Sequence, residues 1–392
     1  MISAANVKTV KENTKPYTYI LIKTITTFDT GSDLFDFDNT TYSVIKHRLH
    51  DSGVLFEEHG MIDLFDGKQI KRLSRKSNED DFQLYIKKRP ENDEFKIKVK
   101  VKLPYLPHFN KEIWLIVRSL RDRTKKEQKG YNLKFLDVIK IGKVRLEVIE
   151  IQNSSNPFDR EKVENFSMLP SESFLDSNLQ EIEQRTDETC KYCWLELSKE
   201  EIQSGAVVYP CKCSGSSRAV HLDCLRTWIE HKVTSTGSGR VINYNLNKFN
   251  CEICLSPFPV MIKTRDQTHD LITIERPKRP YIIFRQLFDD QTMHKYSIIT
   301  PDERSPITIG RSGKCEMQIN NISISRVHSE IQLINGKFRI FDTNSKFGTL
   351  VLCKKDIVIG EKKQGLQVGT NVFTFEKKTI YDYQKLYHDS SN

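Results

Sequence analysis

Apolar and polar residues alternate with a period of two along much of this chain, and that period predicts β-strands. Between Phe95 and Leu103, Ile97, Val99 and Val101 share one face, while Lys96, Lys98, Lys100 and Lys102 share the solvated one. Val144 to Val148 repeats the pattern. Glu112 to Ser119 adds a hydrophobic candidate, and Tyr17 to Ile25 is apolar and β-branched enough for a buried strand. Beyond residue 280, the stretches Tyr281 to Leu287, His294 to Ile299, Ile307 to Ile309, Ser329 to Leu333, Phe338 to Phe341 and Val372 to Phe375 read as short strands between polar turns, the mark of a sandwich. Helical spacing is rarer. Leu225, Trp228 and Ile229 fall at i, i+3 and i+4, which predicts a short helix after Cys224. A second short helix is expected around Ser177 to Gln184. Asn153 to Thr189, rich in Ser, Asn, Glu and Asp and broken by Pro157 and Pro170, has the composition of a linker. Val233 to Asn250, rich in Ser, Thr, Gly and Asn, reads as a surface loop. The expected architecture is multidomain and mainly β: a β-sandwich over 1–152, a polar linker over 153–186, a small α+β unit over 187–262, a linker over 263–280, a second β-sandwich over 281–380 and a tail over 381–392.

The α+β unit carries eight thiol and imidazole groups in four pairs: Cys190-x-x-Cys193, Cys211-x-Cys213, His221-x-x-Cys224 and Cys251-x-x-Cys254. Zinc takes four such donors in a tetrahedron, and a two-residue gap lets one turn aim two side chains at a single ion. The pairs lie 17, 7 and 26 residues apart, so neighbouring pairs need not share a metal. A cross-brace is favoured, with Cys190, Cys193, His221 and Cys224 on one zinc and Cys211, Cys213, Cys251 and Cys254 on the other. Both sites would be full, and therefore structural.

The run Pro210-Cys-Lys-Cys-Ser-Gly-Ser-Ser, the run His221-Leu-Asp-Cys224-Leu-Arg-Thr-Trp228-Ile229 and the closing Cys251-Glu-Ile-Cys254 resemble the RING-CH family of zinc fingers, whose four Cys, one His, three Cys order they match. A plant homeodomain finger shares that order, but with a wider second pair and a shorter run to the histidine. The resemblance implies a ubiquitin ligase module that docks a ubiquitin-conjugating enzyme and promotes transfer of ubiquitin from its thioester. Catalysis would come from positioning, with no nucleophile on this chain. The family's docking residues fall on Tyr192, Trp228 and Pro257. Tyr192 stands where an aliphatic residue is commoner, and Leu255 follows the last ligand where many such ligases carry a basic residue.

Composition narrows the setting. Of nine cysteines, seven belong to the array, leaving Cys315 and Cys353, so a reducing compartment is expected rather than a disulfide scaffold. Residues 1 to 24 lack the features of a signal peptide, and no run reaches the roughly 18 apolar residues of a membrane span. The expected location is intracellular and soluble, cytoplasmic first and nuclear as the alternative. The net charge of +9 favours acidic or phosphorylated partners. No basic helix or aromatic platform accompanies it, which argues against nucleic acid.

The second sandwich holds Ile309-Gly310-Arg311, Ser325-Arg326-Val327-His328 and Asp342-Thr-Asn-Ser345-Lys346-Phe347-Gly348-Thr349. Together these resemble the forkhead-associated (FHA) domain, which binds phosphothreonine peptides through loops at one end of a β-sandwich. A phosphate dianion suits a guanidinium fork plus neutral donors, which Arg311 and Ser325 would supply from two loops. By resemblance, Arg326 and Lys346 join the binding face, Gly310 lets the first loop turn closely, His328 braces the Ser325 loop, and Gly348 with Thr349 forms the last turn. Lys346 and Phe347 replace the family's commoner threonine and asparagine. The stretch Phe135 to Val148, with a turn at Gly142, also resembles the last hairpin of an FHA domain and aligns with Gln367-Val-Gly369-Thr-Asn-Val-Phe373-Thr-Phe375. The first sandwich is therefore read as a degenerate FHA domain, with an unrelated β-sandwich as the alternative.

The expected function is a soluble RING-CH-type ubiquitin ligase with two structural Zn2+ ions, partnered by a conjugating enzyme, ubiquitin and a phosphothreonine protein. The alternative is a non-catalytic zinc-binding adaptor in a larger assembly.

Overall fold

The computed structural model describes residues 17–27, 34–38, 42–58, 61–75, 82–99, 112–117, 130–153, 160–162, 174–176, 188–237, 239–247, 249–258, 261–263, 268–271, 276–278, 280–288, 293–302 and 304–380. The expected helix at Ser177 to Gln184 and the tail over 381–392 lie outside them.

Alternation mostly becomes strand. At the stretch Phe95 to Leu103, Glu94–Lys98 is strand, Val99 is a bend, and 100–103 lie outside the described residues. Tyr17–Thr27, Val144–Gln152, Tyr281–Leu287 and Asn371–Ile380 are strands. They belong to one thirteen-stranded sheet. Its path runs through Thr234–Thr236, Val241–Asn247, Met293–Ile299, Tyr281–Leu287, Val144–Gln152, Val138–Ile141, Thr349–Leu352, Ile113–Ile116, Gln364–Val368, Asn371–Ile380, Tyr17–Thr27 and Tyr42–Leu49. One part of it packs against a five-stranded sheet holding Ile307–Gly310, Ser329–Ile334 and Lys337–Asp342. Another part packs against a six-stranded sheet holding Gly53–Glu58, Phe82–Arg89 and Glu94–Lys98. Two sandwiches thus share a continuous sheet.

The sandwiches exchange hairpins. Val138–Ile141 and Val144–Gln152 pair with Thr349–Leu352 and Tyr281–Leu287, and bury Ile139, Ile141, Leu146 and Val148 in the C-terminal core. Gln364–Val368 and Asn371–Ile380 pair with Ile113–Ile116 and Tyr17–Thr27, and bury Leu366, Val368, Phe373 and Phe375 in the N-terminal core. Each hairpin offers one apolar face and two open edges, which any sheet of matching pattern can accept. The similarity of the two hairpins makes the exchange physically cheap.

The insertion expected as a surface loop is a correction. Thr234–Thr236 and Val241–Asn247 form a hairpin that extends the large sheet along Met293–Ile299. An open edge satisfies backbone donors and acceptors that a Ser- and Asn-rich sequence would leave to water, and burial of Val241 fixes the register.

The finger does not hang free. Along Tyr281–Leu287, Ile282 and Phe284 face the sandwich core while Tyr281 and Ile283 face the finger core, which explains why that strand is apolar on both faces. Leu225, Ile229, Val208 and Val220 meet them from the finger side. No helix of the described residues is long and apolar enough to cross a membrane.

Candidate functional site

The eight predicted donors gather into two groups of four. Cys190, Cys193, His221 and Cys224 form one, and Cys211, Cys213, Cys251 and Cys254 the other; within each, the donor atoms lie within 4.8 Å of one another. The first and third pairs in the sequence meet, and the second meets the fourth, which is the cross-brace. Zinc–sulfur bonds of about 2.3 Å set tetrahedral sulfurs about 3.8 Å apart. Cys213 Sγ and Cys251 Sγ are 3.5 Å apart, and His221 Nδ1 lies 3.3 Å from Cys193 Sγ and 3.7 Å from Cys224 Sγ. The dimensions and the donor chemistry fit zinc. Burial, aided by Cys251 and Cys211, pushes the Cys213 thiol up to about 12, and burial with Cys193 and Cys190 does the same to Cys224. Thiols crowded in this way ionise against a cation.

Two supporting residues escaped the sequence reading. Lys191 lies between two donors of the first group, yet its Nζ is 3.3 Å from Cys211 Sγ and 3.4 Å from Cys251 Sγ of the second. Burial opposes its charge, but the two sulfurs outweigh that and hold its pKa above the ordinary value. Four thiolates around Zn2+ would carry two net negative charges, of which Lys191 offsets one. Glu201 is the other. Ser198 and Glu201 form a capping box on the helix Lys199–Ser204. That box orients the carboxylate 3.6 Å from His221 Nε2, opposite the donor nitrogen Nδ1. The Ser-x-x-Glu spacing was the available signal.

The two Cys-x-x-Cys pairs fold alike. Trp194 N–H donates to Cys190 O and Leu255 N–H to Cys251 O, with Trp194 at φ 63° and Leu255 at φ 58°. Bulky side chains rarely adopt positive φ. Here they stand in solvent, Trp194 78% exposed and Leu255 72%. The helix Leu222–Lys232 buries Leu222, Leu225 and Ile229 and leaves Trp228 half-buried. Trp228 stacks on Tyr192 at 5.8 Å and meets Phe258 edge-on at 5.5 Å. Pro257, beside Phe258, is exposed. Tyr192 and Trp228 are thus in contact.

The FHA-like residues lie at one end of the C-terminal sandwich. His328 is fully buried; its Nδ1 accepts the Ser325 N–H at 3.1 Å, so its Nε2–H donates to Gly348 O at 3.1 Å. That tautomer ties two loops together. Arg311 N–H donates to Ser325 O, and Ser312 N–H to Arg326 O, which ties in the third. A Cβ on Gly310 would sit 2.2 Å from Arg326 O, so only glycine fits there. Buried Asp342 accepts from the hydroxyls of Ser345 and Thr349 and fixes the turn through Gly348. Arg311, Ser325, Arg326, Lys346 and Phe347 line a cavity of about 490 Å³. The Lys346 N–H donates to Ser325 Oγ at 3.0 Å, while its ammonium pairs with Asp36 at 3.3 Å. Phe37 N–H donates to Lys346 O. Asp36 and Phe37 are contributions from the other sandwich that the motif could not reveal.

Comparison with known proteins agrees with these groupings. The family model described as RING-variant domain matches residues 189–254, and that described as FHA domain matches residues 307–371. The chain is 27% identical over 93 residues to E3 ubiquitin-protein ligase MARCHF7 of Pongo abelii, covering 24% of this chain and 12% of that protein. To MARCHF7 of Rattus norvegicus it is 26% identical over 89 residues, covering 23% and 11%. To E3 ubiquitin-protein ligase MARCHF5 of Xenopus laevis it is 32% identical over 66 residues, covering 17% and 23%. The chain therefore spans only about a tenth to a quarter of the length of these curated relatives. No solved structure matches it. The chain carries a RING-variant (RING-CH) domain over 189–254 and an FHA domain over 307–371, and the proteins it is similar to are E3 ubiquitin-protein ligases.

Proposed function

We propose that this chain is a RING-CH-type ubiquitin ligase that recruits a ubiquitin-conjugating enzyme through its finger and recognises phosphothreonine-bearing partners through its FHA domain. The observation that carries the reading is the union of two complete four-donor groups with an apolar face at Tyr192 and Trp228 on the same finger. Two zinc ions held by the eight donors would supply folding energy to a unit with a small core of its own. Ligase activity then needs only a surface that holds the charged conjugating enzyme in a reactive arrangement. Exposed Pro257, Ile253 and Leu255 extend the apolar area available for that contact. Arg311, with Ser325, Arg326 and Lys346 around it, would receive the phosphate; among the described residues no carboxylate pairs with Arg311. A thiol-based zinc finger of this kind works in a reducing compartment, the cytoplasm or nucleus.

The test is self-ubiquitination by the purified protein against a panel of conjugating enzymes, with Trp228→Ala as control. Chains formed by wild type and lost in a folded Trp228→Ala protein support the reading. One observation favours the second reading, a non-catalytic adaptor: the finger shares its core with the sandwich and holds Trp228 between Tyr192 and Phe258. Silence across the panel, with zinc bound, would select it.

A further inference from the structure

We propose that Asp36, brought from the N-terminal sandwich, is a specificity-determining residue of the phosphopeptide site, and that the ligand is a phosphothreonine peptide with a lysine or arginine close to the phosphorylated residue. The inference rests on the phosphopeptide reading above. Lys346 shares the cavity wall with Arg311, Ser325 and Arg326, and no acidic residue lines that cavity. Beyond that wall, Asp36 Oδ2 lies 3.3 Å from Lys346 Nζ. A cation that a phosphate would use is therefore already paired.

The carboxylate is held more firmly than the ammonium it pairs with. Asp36 Oδ1 accepts the Asp38 N–H at 2.8 Å, and the Phe37 N–H donates to Lys346 O at 2.8 Å. The Phe37 ring lies against Gly348, where a Cβ at φ 71° would come within 2.6 Å of it. Phe35, 5% exposed, meets Phe37 edge-on at 4.8 Å and packs with Trp114, Val138 and Leu350. The Asp36 side chain is 17% exposed, against 52% for Lys346. A lysine on its flexible four-carbon stem can turn to a phosphate, and Asp36 cannot follow it.

A phosphothreonine carries a charge of about −2 and competes with the Asp36 carboxylate for Lys346. Binding then leaves a mostly buried carboxylate beside a second anion, which costs free energy unless a cation returns to it. A Lys or Arg side chain on the peptide supplies that cation. An acidic residue there adds repulsion. The net charge of +9 pulls the other way, since it favours acidic peptides as a whole. A preference for a basic residue at one spacing is therefore a local signature of Asp36.

Fluorescence anisotropy on the full chain, at fixed salt, tests this with phosphothreonine peptides that carry alanine, arginine or glutamate at one flanking position. That position is moved stepwise along the peptide, and each peptide has an unphosphorylated control. At one spacing arginine should bind about two- to fivefold more tightly than alanine, and glutamate more weakly than alanine, the range that partly exposed ion pairs span. Asp36→Asn keeps an acceptor for the Asp38 N–H and removes the charge. It should erase the arginine preference at that spacing and tighten the alanine peptide, because Lys346 is released to the phosphate. No basic preference at any spacing, or a preference that survives Asp36→Asn, overturns the assignment. So does weaker binding of all three peptides by that variant, which would make Asp36 a support for Lys346 alone. Failure of the parent reading looks different: phosphorylated and control peptides would bind alike, or Arg311→Ala would bind the phosphopeptides as well as wild type. Either result would overturn the role of Asp36 along with it.

Discussion

The finger and the C-terminal sandwich build their sites by opposite means. In the finger, eight donors lie between Cys190 and Cys254, and those side chains define the site while the backbone follows. In the sandwich, the site is a set of loops whose shape is held by buried groups, His328 and Asp342, and which are touched from elsewhere in the chain by Asp36, paired with Lys346, and by Lys143, whose N–H donates to Ser323 Oγ. A site made of ligands is local and recognisable by spacing. A site made of loops depends on whatever fixes the loops, however distant in the chain.

The largest expected effect breaks the finger alone. Replacing Cys211 and Cys213 by Ser should release zinc and unfold the finger, since structural zinc contributes on the order of 10 kcal/mol. Metal content by atomic absorption and proteolysis within 188–258 would report it, and a variant that keeps two zinc ions would refute the ligand assignment. Next comes Leu146→Ala, in the exchanged hairpin. It should cost roughly 2–5 kcal/mol by leaving a cavity, and the loss should fall on the C-terminal sandwich, seen as faster hydrogen exchange along Ser329–Ile334. Unchanged protection there would argue against the exchange. His328→Ala should cost roughly 2–4 kcal/mol, because the Ser325 N–H and Gly348 O lose their buried partner. Denaturant unfolding would measure it, with zinc content intact; loss of zinc would mean that the two sites are not separable. Smallest is Lys191→Met, which should weaken zinc binding about 10- to 100-fold, as loss of an outer partner does. Competition with a chromophoric chelator would read this, and the loops around Arg311 and Ser325 should not respond.

Legibility follows the same division. The donor pairs of the finger, the helix carrying Leu225 and Ile229, and strands such as Tyr17–Thr27, Ser329–Ile334 and Lys337–Asp342 could be read from spacing, because each is dictated by neighbours within a few residues. The strands Tyr42–Leu49, Gly53–Glu58, Met61–Phe65, Ile70–Arg75 and Phe82–Arg89 were not legible in that way. Lys191 was hidden among the ligands because its ammonium serves the other group of four, a relation that exists only once the cross-brace forms. The hairpin at Thr234–Thr236 and Val241–Asn247 was hidden because its sequence is polar and its strand state depends on the edge of Met293–Ile299.

By itself, then, the sequence determined where strands alternate, which eight side chains can bind metal, and which loops carry Arg311, Ser325 and Lys346. Only the tertiary structure decided which sheet each hairpin joins. The physical reason is that the hairpins at 138–152 and 364–380 have the same apolar pattern, so alternation says which face is buried but not which partner buries it. That choice sends Ile139, Ile141, Leu146 and Val148 into the C-terminal core, and brings Lys143, whose N–H donates to Ser323 Oγ, to the edge of the FHA loops.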